Sequence, residues 1–184
     1  MKNLINGDDK IDNKDLKRVK TKIWIKTLLC SYKVFPRLIN TIDKIIELQA
    51  SNLSFSSSIF NSSSRFENQY EQVINMSERK KSLVNIHIMI TKMINDMPYD
   101  IKKLIEYRFV DNMTVDDIAV ELELSERTVY RKYQKLLNEI YDYFCKQNWS
   151  LKFIECQVQD EDWLFDKFNL FYKEYIENQK EKIS

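Results

Sequence analysis

One glycine and two prolines in 184 residues leave this chain little with which to build tight turns between strands. Hairpin turns draw on residues that tolerate positive φ, and strand-rich folds need many of them. The chain is therefore expected to be all-α, with long helices and few connections. With 43% hydrophobic residues it can bury a core of its own.

Apolar residues at helical spacing place those helices. A first stripe runs through Trp24, Leu28, Tyr32, Phe35, Ile39, Ile42, Ile46 and Gln49 in alternating steps of four and three. It predicts one helix that restarts or kinks at Pro36. Val73, Met76, Leu83, His87, Ile90, Ile94 and Met97 form a second stripe, and the two together predict an antiparallel hairpin over residues 23–97. Within it, residues 51–65 read SNLSFSSSIFNSSSR and are expected to form a loop, because serine hydroxyls compete for backbone hydrogen bonds. His87 sits on the seam with no second ligand in sight and reads as a packing residue.

Residues 1–22 are expected to be a mobile tail with a basic stretch. From Lys10 to Lys26 seven cations face two acids, a local excess of five positive charges. A solvated tail and a nucleic-acid-binding arm both fit that pattern. Formal net charge over the whole chain is only +1, so any affinity for nucleic acid must come from such local segregation.

Residues 98–146 carry the stretch with the most specific order. Pro98 opens a helix through Phe109, whose Ile101, Leu104, Ile105 and Phe109 are set to pack beneath the next two helices. Thr114 is a candidate N-cap with Asp116 and Asp117 in the first turn, and Val115, Ile118, Ala119 and Leu122 form an apolar stripe. Glu123 and Leu124 make a turn, and Ser125 caps a second helix. On that helix Val129, Tyr133, Leu136, Leu137, Ile140 and Phe144 fall to one side. Arg127, Arg131, Gln134, Lys135 and Asn138 fall to the other, with Thr128 at the edge. These six polar residues include no acid and are suited to phosphates and base edges.

Residues Met97 to Ile140 resemble region 4 of bacterial sigma-70-type factors. The likeness lies in the Pro-led helix, the Leu104-Ile-x-x-Arg-Phe run, the Thr114-Val-Asp-Asp-Ile-Ala-x-x-Leu helix and the Ser125-x-Arg-Thr-Val start of the next. With the preceding hairpin and its Ser-rich interruption, the order is similar to phage regulators of the ArpU and RinA kind. The resemblance implies a transcription regulator whose second helix enters the major groove of double-stranded DNA. By position in the motif, Glu126, Arg127, Thr128 and Arg131 would read bases, and Tyr130, Lys132 and Lys135 would meet phosphates. It also implies RNA polymerase as a possible partner; the alternatives are an autonomous regulator that forms a homodimer through the hairpin or the aromatic extension, and a helical protein-interaction module that keeps the helix-turn-helix for packing. Such proteins usually carry Gly in the turn where this chain has Glu123, which predicts a strained or differently built turn.

Residues 147–184 are expected to be a helical extension. Leu164, Phe165, Phe168, Phe171, Tyr172, Tyr175 and Ile176 share a broad face that must be buried on this chain's own hairpin, on a second copy or on a partner such as RNA polymerase. Cys30, Cys145 and Cys156 are far apart and the chain has one histidine, which excludes the usual zinc patterns and fits reduced cytosolic thiols. No signal-peptide core and no run of ~18 apolar residues is present, so a soluble cytoplasmic protein with no membrane span is expected. No Gly-rich phosphate loop, GxSxG or metal-ligand cluster occurs, and neither an enzyme nor a cofactor is expected.

Overall fold

The computed structural model describes residues 13–56 and 63–181. Among them lie α1 (Asn13–Ser31), α2 (Val34–Ser56), α3 (Ser63–Asp96), α4 (Tyr99–Ile105), α5 (Val115–Glu121), α6 (Glu126–Lys146), α7 (Leu151–Gln157) and α8 (Asp162–Glu181). A π-helical segment, Glu106–Val110, extends α4 directly. The described residues contain no strand, and the protein is all-α as its lack of turn residues implies.

The stripe from Trp24 to Gln49 is divided between two helices. α1 stops at Ser31, Tyr32 and Lys33 form a turn in which the Tyr32 N–H bonds the Leu29 carbonyl at 3.2 Å, and α2 starts at Val34. Pro36 thus falls in the first turn of α2, where its missing N–H goes unneeded. Only α2 and α3 form the hairpin, held by buried Phe35, Ile42, Leu83, Ile86 and Ile90 and by the Asp43–Lys80 ion pair. His87 packs on this seam, its ring 5.1 Å from that of Tyr32, and burial pushes its pKa down.

Two further expectations are corrected. Residues 13–22 form the first half of α1 rather than a mobile tail, and Lys10 and Asp12 lie outside the described residues. Residues 51–56 and 63–65 of the expected Ser-rich loop are helical, and 57–62 lie outside the described residues. Serine fits here because its hydroxyl can bond the carbonyl one turn back, as Ser51 Oγ does to Glu47 O at 2.8 Å.

Freed from the hairpin, α1 packs against α6 on one side and α8 on another. Its polar core residues are satisfied within the helix: Thr27 Oγ1 donates to Ile23 O at 2.9 Å and Ser31 Oγ to Thr27 O at 2.8 Å. The aromatic face of α8 docks on it. Trp24 is fully buried, its ring 4.6 Å from Phe168 and 5.2 Å from Phe165. Lys167 Nζ donates to the Cys30 carbonyl at 3.0 Å, a cation at the negative end of α1. The extension is therefore buried on its own chain: α8 lies chiefly along α1, α7 meets both α1 and α3, and Trp163 lies 6.2 Å from the Phe35 ring of α2. Ile101, Leu104, Ile105 and Phe109 are buried beneath α5 and α6, joining the same core through Leu136, Ile140 and Phe144.

No helix among the described residues is long and apolar enough to cross a membrane. Among the same residues no cluster of His, Cys, Asp and Glu could hold a metal ion.

Candidate nucleic-acid interface

Thr114 and Asp117 close a capping box at the start of α5: Thr114 Oγ1 accepts the Asp117 N–H at 3.1 Å, and the Asp117 carboxylate accepts the Thr114 N–H at 3.0 Å. The Thr114 hydroxyl also donates to the Asp117 carboxylate at 2.6 Å, and this bond, with the one from the Thr114 N–H, holds the carboxyl below its usual range. Ser125 caps α6 in turn, its Oγ accepting the Thr128 N–H at 3.3 Å and sharing a hydrogen bond with Thr128 Oγ1 at 2.8 Å. Before α5, the Arg108 guanidinium donates to the Met113 carbonyl at 2.8 Å and fixes the entry.

Between α5 and α6 the chain makes a Schellman motif. Glu123 N–H bonds the Val120 carbonyl at 3.1 Å and Leu124 N–H bonds the Ala119 carbonyl at 2.8 Å, with Glu123 at φ 52°. This is the left-handed residue that the expected turn requires, and glutamate bears its steric cost. α6 ends in the same motif with Asn148 at φ 56°, where Trp149 stacks edge-on against Phe144 at 5.2 Å. Asparagine tolerates this conformation and glutamate does not, a cost of roughly 1–2 kcal/mol. Glu123→Gly should therefore raise stability by about 0.5–1 kcal/mol after the unfolded state's added entropy, or roughly 1–4 °C in Tm. A lower Tm in thermal unfolding would show that the glutamate side chain contributes something the turn alone does not.

The two sides of α6 separate as its sequence requires. Val129, Leu136, Leu137, Ile140 and Phe144 are buried, and burial pushes the Tyr133 phenol up to about 12, so it stays neutral. Arg127, Tyr130, Arg131, Gln134, Lys135 and Asn138 line one shallow depression on the opposite side. Of the residues singled out in the sequence, Glu126, Arg127, Arg131 and Lys132 are exposed at the N-terminal half of α6. Lys135 is also exposed and pairs with Glu139 at 3.4 Å, a weak contact at the surface. Thr128 is half-buried, with its hydroxyl already engaged by the Ser125 cap. Tyr130 is 55% exposed and turns toward a groove of about 680 Å³ between α1, α6 and α8.

Gln134 and Asn138 share the depression with the arginines, and their amides can donate and accept at once. Helical spacing alone puts them there. What spacing could not show is that α1 runs beside this face: Lys22 Nζ donates to Asn138 Oδ1, and the Arg18 guanidinium lies 5.3 Å from the Tyr141 ring centroid.

Comparison with known families matches residues 87–140 to the model for Sigma-70, region 4. The match takes in the end of α3, α4, the π-helical segment, α5 and most of α6, and stops before α7 and α8. No curated protein and no solved structure matches the chain.

Proposed function

We propose that the protein is a sequence-specific DNA-binding transcription regulator in which α6 enters the major groove. The observation that carries this reading is the stripe of exposed Arg127, Arg131 and Gln134, continued by half-buried Asn138, on a capped helix whose other side is buried in the core. Its N-terminal end is the part of such a helix that reaches base edges. In this reading Arg127 and Arg131 bind guanine edges in bidentate fashion, Glu126 accepts from cytosine, and Thr128 contacts bases through its methyl group while its hydroxyl serves the cap. Tyr130, Lys132 and Lys135 hold phosphates. Gln134 adds an amide suited to adenine. The N-terminal part of the α8 aromatic face packs on α1, and the hairpin, with Leu48 and Tyr70 66% and 55% exposed, is the surface offered for self-association.

Arg127→Ala should cost roughly 1–3 kcal/mol on the preferred duplex and relax preference at one base pair, whereas Lys135→Ala should weaken all sequences alike. Titration of a fragment captured from genomic DNA against a scrambled one measures both. Equal small effects from the two variants would remove direct readout by α6.

The match to region 4 favours a second reading, in which the chain engages DNA together with RNA polymerase. Capture of DNA by the pure protein, repeated with core polymerase, separates the two. Selective retention without polymerase establishes the autonomous regulator, and retention only with it establishes the polymerase-dependent factor.

A further inference from the structure

We propose that Arg18 and Lys22 of α1 form a second contact to the same duplex, holding the phosphate backbone beside the groove that α6 enters. This inference rests on the reading of α6 as the groove-binding helix.

Lys14, Arg18, Lys22 and Lys26 recur every four residues and so share one stripe of α1. The partners along that stripe differ. Lys26 is committed to the fold, pairing with Glu174 at 3.3 Å and lying 3.8 Å from the Phe171 ring centroid. Arg18 and Lys22 enter no ion pair with the described residues and instead lean on the Tyr141 ring of α6, at 5.3 and 6.0 Å. Burial and the neighbouring Arg18 charge both push the Lys22 pKa down, with Asp142 offsetting only part of this. Two cations held close together, with Asp142 offsetting only part of their repulsion, are electrostatically unfavourable, and an anion bound beside them lowers that cost.

The position fits a duplex. Lys22 meets α6 at Asn138, on the stripe that begins at Arg127. Eleven residues of helix span about 16 Å, more than the ~12 Å width of the major groove. Side chains at that distance from the base-reading end therefore stand over the flanking backbone. α1 is fixed there by Trp24 and the packed face of α8, so the cations are held in place before binding.

The test uses the full chain with the captured fragment and its scrambled counterpart, titrated over a series of salt concentrations. Arg18→Gln with Lys22→Gln should weaken both fragments by the same factor and flatten the slope of log K against log salt by about 1.8, two contacts at about 0.9 each. Either single substitution should remove about half of that change, which keeps the test valid if the double variant unfolds. The charge-conserving pair Arg18→Lys and Lys22→Arg should keep the slope. Unchanged slope and affinity in the glutamine variants, with wild-type selectivity intact, would overturn the α1 contact and leave the α6 reading standing. A loss confined to the preferred fragment would show that α1 acts through α6 and not on phosphates, and would equally overturn it. Failure of the wild-type chain to bind either fragment, both alone and with core polymerase, would overturn both.

Discussion

Trp24→Ala should lower the melting temperature by roughly 6–20 °C. Trp24 is fully buried on α1 and packs between Phe165 and Phe168 of α8, so truncation empties the joint between two helices that are more than a hundred residues apart in sequence. Large-to-small changes of this kind cost about 3–5 kcal/mol, and each kcal/mol is worth about 2–4 °C in a chain of this size. A second variant separates volume from polarity. The indole N–H of Trp24 is buried with no hydrogen-bond partner among the described residues, an arrangement that itself costs about 1–3 kcal/mol. Phenylalanine removes that donor while keeping most of the ring, so Trp24→Phe should cost less than half as much as Trp24→Ala. Thermal unfolding followed by circular dichroism measures both. A loss under about 1 kcal/mol for the alanine variant would mean that α8 is not held to α1 through this residue.

The consequence reaches the candidate interface, because α1 also packs against α6. Arg18 and Lys22 reach Tyr141 and Asn138 only while α1 stays docked. Loosening α8 should therefore reduce DNA affinity through α1 before it disturbs the α5–α6 turn, which has its own caps at Thr114 and Ser125.

Local signals in the sequence were reliable where the chemistry is local. Thr114 and Ser125 cap because their side chains sit three residues from the N–H groups they accept from. The left-handed turn at Glu123 was legible as a departure from the usual glycine, and its φ of 52° is what the motif demands. The buried side of α6 reflects a 3.6-residue period. Where two elements share one period, that logic fails. The steps from Leu28 through Tyr32 to Phe35 continue helical spacing straight across the break between α1 and α2, so the apolar pattern alone could not register the turn. Tyr32 keeps its place in the stripe by stacking on His87 from outside either helix. The π-helical segment is equally silent in sequence, since its mark is the Asp111 N–H bonding the Glu106 carbonyl five residues back at 2.8 Å.

The exposed side of α6 was legible from helical spacing, and the placement of the α1 cations beside it was not. The basic run from Lys10 to Lys26 was visible, but its use depends on where α1 docks, and that is decided by Trp24, Phe165 and Phe168. A composition that fits a mobile tail becomes a helix once one of its faces is buried. The mean charge of a segment says nothing about which cations remain unpaired: Lys26 is spent on Glu174 while Arg18 and Lys22, on the same stripe, are not.

The charge pair that joins the hairpin to the C-terminal helices gives the second large effect. Glu161 lies just before α8 with its side chain 2% accessible, and Arg79 of α3 reaches it with both Nε and Nη2, at 2.6 and 2.9 Å. Trp163 Nε1 donates to the same carboxylate at 2.7 Å. Such a pair need not add to stability as a whole, because desolvation offsets its attraction, but removing one partner strands the other. Arg79→Ala leaves a buried carboxylate with one side-chain donor among the described residues, and should cost about 3–5 kcal/mol. Adding Glu161→Gln should recover a large part of that loss. The amide is neutral, so it needs no counter-charge, and its oxygen still accepts from Trp163. Glu161→Gln alone should cost less than Arg79→Ala, since the arginine, 32% accessible, can turn to solvent. Urea unfolding of the two single variants and the double variant closes the cycle. A double variant as unstable as Arg79→Ala would show that arginine's packing, and not the stranded charge, carries the effect. The distal hairpin would then be tied to α8 by contact alone.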